Sequence, residues 1–186
     1  SYGFAPETGR LSSSKNPRGT GSNAQNQDRE IRNIFVPDAG CVFMEVDESQ
    51  GEDRIVKALI ASLLAPGARR DELLWRARAQ PHENDEHRRA ASIIFNIPQD
   101  QVTTAPNGGQ RYIGKRTRHA SSYDMHGKRL SEELLKDGVS ITPDEGQRMI
   151  GAIVDRDIPE LRDWQCEIRK RLLRDRALTN GWGREL

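Results

Sequence analysis

RYIGKRTRHASSY, residues Arg111–Tyr123, is the stretch on which the fold and the chemistry of this chain turn. Arg111, Lys115, His119 and Tyr123 recur every four residues. On a helix such positions run along one face, drifting by roughly 40° per step. The stretch therefore predicts a helix carrying two cations, an imidazole and a phenol on one stripe. That stripe suits a nucleoside triphosphate, with cations toward phosphates and rings toward sugar and base. A solvated basic helix face is the other reading the spacing leaves open. Far upstream, Val46-Asp47-Glu48-Ser49-Gln50-Gly51-Glu52 ends an apolar run in carboxylates. Asp47-Glu48 reads either as a divalent-metal site for the same phosphates or as an acidic turn after a strand.

Helical periodicity dominates the surrounding sequence. Ile55, Val56, Leu59, Ile60, Leu63 and Leu64 follow helical spacing, and Pro66-Gly67 stops that run. Further helices are expected from Asp71 to Ala79, from Glu86 to Phe95 and from Leu130 to Leu135, the last closed by Asp137-Gly138. Thr142-Pro143-Asp144-Glu145 is a strong helix start: a capping Thr, Pro at the first position and acids in the first turn. Pro159 opens a last long helix, to about Ala177. Before these helices, Ser12 to Gln27 reads as a polar loop. Ile31–Val36 and Cys41–Val46 read as short strands joined by a turn at Pro37-Asp38-Ala39-Gly40. The Gly-interrupted tail, 178–186, reads as a strand. Trp75, Trp164 and Trp182 are expected in core or interface packing.

Composition bounds the class. The 186 residues suit one compact domain or part of a larger one, with 31% charged and 34% apolar residues. The net charge of +1 hides basic clusters at Arg111–Arg118 and Arg169–Arg176, so a nucleic-acid partner is compatible with it. Cys41 and Cys166 are too few for a disulfide framework; they read as buried thiols of a reducing compartment. No apolar run approaches the ~20 residues that span a bilayer. No signal-peptide pattern opens the chain. The expectation is a cytoplasmic protein with no membrane partner. His82, His87 and His126 have no spacing that makes a zinc site.

An ordered series of short motifs is more specific than any one of them. Thr8-Gly9-Arg10-Leu11-Ser12-Ser13-Ser14 is followed by Asn23-Ala24-Gln25-Asn26 and Ile31-Arg32-Asn33-Ile34-Phe35. Asp47-Glu48-Ser49-Gln50-Gly51-Glu52-Asp53-Arg54 and the Arg111 stripe complete it. This order resembles the family A DNA polymerases, and looks closest to their phage-like branch. The resemblance covers nearly all of the chain.

It implies an α+β, predominantly helical fold, with fingers helices on a small antiparallel palm sheet. Residues 1–51 would be partial palm, 52–177 fingers, and 178–186 a return strand. It implies DNA-directed nucleotidyl transfer from a dNTP to a primer 3′-hydroxyl, assisted by two Mg²⁺ ions. Asp47 would be the first metal-binding aspartate and the Glu48 carbonyl a second ligand. Glu52 would pack beside the incoming sugar with Tyr123, and Gln50 would lie near nucleotide or template. Arg111 and Lys115 resemble the triphosphate clamp, His87 a further phosphate contact, and His119 the stacking residue. Arg10, Asn23, Asn26 and Arg32 would contact primer–template DNA. Glu48, Gly51 and Asp124 depart from the family pattern, and an acid at Asp124 would oppose the triphosphate or the local cations. The second metal aspartate, carried in a His-Asp-Glu turn, and the thumb are expected outside this chain. A fragment or split subunit that needs a second polypeptide follows from that reading. The alternative is a catalytically inactive DNA-binding module.

Overall fold

The computed structural model describes residues 2–3, 12–13, 34–44, 48–105 and 108–179. The chain separates into two compact units, Ser1–Asp47 with Ala177–Leu186, and Glu48–Arg176.

In the first unit, β1 (Tyr2–Gly3) and β2 (Ser12–Ser13) pair antiparallel, with Tyr2 opposite Ser13. Ser12 and Ser13 thus lie in a short ladder where a polar loop was expected. The expected turn is present: Cys41 N–H donates to the Asp38 carbonyl at 2.9 Å, with Gly40 at φ 81°. The flanking strands are not. Among residues 34–44 no strand forms, and Ile34, Phe35, Val36, Val42, Phe43 and Met44 are all exposed. Strand propensity is largely a preference for a packed, half-buried surface. Without such a surface a two-stranded hairpin is marginal at best. The expected small palm sheet is therefore not seen among the described residues. The remaining residues of those strands, and residues 180–186 of the tail, lie outside the description.

The second unit is helical: α1 (Gly51–Leu63), α2 (Ala68–Arg78), α3 (Glu86–Phe95), α4 (Gln110–Ser122), α5 (Gly127–Lys136), α6 (Pro143–Arg156) and α7 (Glu160–Asp175). Local chemistry sets the boundaries. Asp85 caps α3, and Asn96 ends it in the left-handed region. Thr142 and Glu145 form the reciprocal capping box of α6, with Pro143 in the first turn. Gly138, at φ 80°, ends α5, and Val139 N–H reaches back to the Leu134 carbonyl. One core joins Ile60, Leu73, Ile113, Leu130, Leu134, Ile150, Val154 and Leu161. Burying each such side chain contributes about 1.5–3 kcal/mol.

Packing departs from expectation at several residues. On α1, Ile55, Leu59 and Leu63 face solvent, whereas Asp53 and Lys57 are buried with Ile60 and Ala61. The inward stripe therefore carries charge, and the periodic apolar residues fall partly outside it. Trp75 is 54% exposed, while Trp164 packs against the core. Both cysteines, expected to be buried, are exposed free thiols.

Candidate nucleotide-binding face

α4 carries the stripe as expected. Its inward face buries Ile113, Gly114, Thr117, Arg118, Ala120 and Ser121. Lys115 and His119 are exposed, Arg111 is half-buried, and Tyr123 caps the helix with 60% exposure. Gly114 is required by a close approach: a Cβ there would lie 2.4 Å from the His87 carbonyl oxygen and 2.7 Å from the Ala91 nitrogen. Only a glycine lets α4 sit this near α3. At the far end, Gln165 of α7 donates its amide to the Ser121 carbonyl at 2.8 Å and holds the C-terminus of α4.

Each stripe residue has its own surroundings. Arg111 Nε donates to Asp85 Oδ2 at 2.7 Å. His119 Nδ1 lies 3.1 Å from Glu52 Oε2, and its ring centroid is 4.7 Å from that of Tyr123. The structure thus gathers Glu52 and Tyr123, expected beside the incoming sugar, with His119, expected to stack on the nucleotide. Lys115 makes no ion pair among the described residues. His87 sits under the same face. Burial pushes its imidazole down to about 4, with nearby Asp53 opposing the shift and Arg111 adding to it. A neutral ring at pH 7 is a hydrogen-bonding partner for phosphate, not a cationic one.

Other assigned residues fall elsewhere. Gln50 Oε1 accepts the Glu86 N–H at 3.0 Å, so this side chain helps to start α3. Asp124, the expected source of repulsion, is paired with Arg169. Glu48 is exposed beside Gly51. Asp47, Arg10, Asn23, Asn26 and Arg32 lie outside the described residues. Among the described residues no group of three or more His, Cys, Asp or Glu side chains could hold a metal ion. Of the expected ligand pair, Asp47 lies outside the described residues, and Glu48 by itself makes no metal centre.

Behind the stripe lies a network that sequence reading missed. Lys57, Arg76, Arg118, Asp53, Glu86 and Asp157 are all buried. Arg76 donates to both Glu86 oxygens at 2.7 Å and to Asp157 Oδ2 at 2.8 Å. Arg118 pairs with Asp157 and lies 3.3 Å from Glu86 Oε2. Lys57 pairs with Asp53 and lies 3.1 Å from Glu86. Burial alone would raise the Glu86 carboxyl; hydrogen bonds from Arg76 and the charges of Lys57 and Arg118 instead pull it down to about 2. Asp157, likewise buried, is held well below the usual carboxylate range by Arg118 and Arg76. Burial lowers the Lys57 ammonium against the attraction of Asp53. Three cations and three carboxylates balance, the condition under which buried charge is tolerated. Arg54, last residue of the Asp47 motif, donates to the carbonyls of Ala77, Arg78 and Ala79 and so closes α2.

The sequence profile of DNA polymerase family A matches residues 4–186. The chain belongs to that family. DNA polymerase I of Borreliella burgdorferi (strain ATCC 35210 / DSM 4680 / CIP 102532 / B31) is 31% identical over 136 residues, 73% of this chain and 13% of that protein. The chain therefore spans about an eighth of the length of that relative. The family A assignment agrees with the resemblance read from the motif order. No helix among the described residues is long and apolar enough to cross a membrane.

Proposed function

We propose that this chain forms the fingers and part of the palm of a DNA-directed DNA polymerase, closest to the phage-like branch, working in the cytoplasm. The observation that carries the reading is the shared face of half-buried Arg111 with exposed Lys115, His119 and Tyr123, and Glu52 against His119. In the reaction, the primer 3′-hydroxyl oxygen bonds to the α-phosphorus of a dNTP and pyrophosphate leaves. Arg111 and Lys115 would grip the triphosphate by charge-assisted hydrogen bonds. His119 and Tyr123 would face base and sugar, with Glu52 at the sugar edge. His87, neutral, would donate one hydrogen bond to the phosphates from its protonated ring nitrogen. Gln50 acts at one remove, through its hold on α3. Positioning of this kind accounts for much of phosphoryl-transfer catalysis. Arg10, Asn23, Asn26 and Arg32 are proposed as the primer–template contacts. Mg²⁺ would be held by Asp47 and the Glu48 carbonyl, with the second aspartate, like the thumb, supplied by sequence outside these 186 residues or by a second polypeptide.

Primer extension tests this. The chain alone should extend a primer little or not at all, and a polypeptide bearing the second aspartate and thumb should restore extension. Asp47→Ala should then abolish it. Robust extension by the pure chain alone refutes the division of the centre. A second reading is an inactive DNA-binding module, which the departures from the family pattern at Glu48 and Asp124 favour. The pairing of Asp124 with Arg169 removes part of that support. Salt-dependent DNA binding with no response to dNTP in the complemented enzyme would favour the module instead.

A further inference from the structure

Asp85 is placed where one carboxylate serves two elements. Its Oδ1 accepts the backbone N–H groups of His87 and Arg88, at 3.0 and 3.1 Å, as the cap of α3. Its Oδ2 takes Nε of Arg111, across on α4, at 2.7 Å. The pair is sheltered, with side chains 35% and 19% exposed. Burial would raise the Asp85 carboxyl, yet the Arg111 hydrogen bond and the Arg88 backbone N–H hold it below its ordinary range. It is therefore ionised at neutral pH. With Nε engaged, the terminal nitrogens of Arg111 make no hydrogen bond among the described residues. A guanidinium tethered at Nε keeps its outer edge, the one that matches two phosphate oxygens, in a single orientation.

We infer that Asp85 is a positioning residue for triphosphate binding: it fixes Arg111 so that its outer edge is presented beside Lys115. The inference rests on the nucleotide reading above. Because Asp85 is itself anchored by two backbone N–H groups of α3, the orientation of Arg111 follows the helix and not the side chain's own rotamer freedom. Without the tether, binding must immobilise a long, flexible side chain afresh. That costs about 3- to 10-fold in affinity.

The test is calorimetric titration of the full 186-residue chain with dATP plus Mg²⁺ and, separately, with tripolyphosphate. Asp85→Asn retains an oxygen that caps α3 and removes the charge that holds Arg111. Asp85→Ser, which also retains a capping oxygen, serves if the Asn variant folds poorly. Binding of both ligands should weaken about 3- to 10-fold. In an Arg111→Gln background the same Asp85 substitution should cause no further loss. A merely structural role would give the same loss in both backgrounds. Unchanged or tighter binding by Asp85→Asn, or a loss that adds to that of Arg111→Gln, overturns the inference while leaving the nucleotide face standing. Failure of the parent chain to bind either ligand overturns both.

Discussion

Asp157→Asn removes one charge from the middle of the buried network. The Asp157 side chain is fully buried. Its oxygens receive Arg76 at 2.8 Å, Arg89 Nε at 2.7 Å, and Arg118. Asparagine keeps the volume but loses the charge, and its amide nitrogen meets guanidinium groups that can only donate. The buried set then holds three cations against two carboxylates, Asp53 and Glu86. Breaking a buried pair from one side costs about 3–5 kcal/mol, because the partner charge stays desolvated. Domains of this size are stable by about 5–15 kcal/mol. The loss is thus a large fraction of the total and lowers the melting midpoint by roughly 10–20 °C. Urea and thermal unfolding of the chain, followed by far-UV circular dichroism, measures it. Arg118→Met combined with Asp157→Asn should lose less than the sum of the two single changes, since it removes the stranded cation. Glu167→Gln, at the exposed pair with Arg171, should change little. A loss below about 1 kcal/mol in Asp157→Asn, well under the buried-pair range, would refute the claim that these charges are desolvated.

Three further outcomes follow from the same geometry. Gly114→Ala places a Cβ 2.4 Å from the His87 carbonyl, so α3 and α4 must separate; urea denaturation should show a loss of about 1–3 kcal/mol or more. His87 is pulled down to about 4 from an ordinary 6.5, so between those values the unfolded chain binds a proton that the folded chain refuses. Stability should therefore fall as pH drops from 6.5 toward 4, and His87→Gln should flatten that limb in urea midpoints; equal slopes in both proteins would count against it. Glu86 adds a second acid limb, from its ordinary 4.5 down to about 2. Lys115→Ala should weaken dATP binding by about 1.5–3 kcal/mol, the worth of a charged hydrogen bond, while leaving the melting midpoint unchanged. Calorimetry and a melting curve check both halves.

The helices were legible because their signals are local. Thr142-Pro143-Asp144-Glu145 specifies its own cap, and the four-residue recurrence from Arg111 specifies its own face. The strands expected around Pro37-Asp38-Ala39-Gly40 were not legible in the same way: a turn is local, but a strand needs a partner surface. The buried charges misled for a related reason. Lys57 and Asp53 look like solvated helix residues, since nothing nearby in sequence announces that Glu86 and Arg118 will close around them. Ile55, Leu59 and Leu63 then satisfy a periodicity that the fold does not bury. Asp85 was not singled out in the sequence, although an Asp directly before Glu86-His87-Arg88 is a local cap signal; its second partner, Arg111, has no such signal.

The polar residues of the face are not independent contacts awaiting a ligand. Arg111 is tethered to Asp85, His119 lies against Glu52, and Asp124 is paired with Arg169. The pairings of Arg111 and Asp124 reduce the local excess charge, and all three contacts limit the rotamers their members sample. On the proposed nucleotide reading, a phosphate entering there would meet partly neutralised, pre-oriented groups and lose less to ordering them. Lys115 differs, being exposed and without an ion pair among the described residues. It supplies the charge that is not already balanced, on a long flexible stem that can follow a moving phosphate. On the same reading, specific geometry would come from the tethered groups and net attraction from Lys115. On that division, Arg111 and Lys115 are not interchangeable, and exchanging the two residues would lose binding even though the total charge is unchanged.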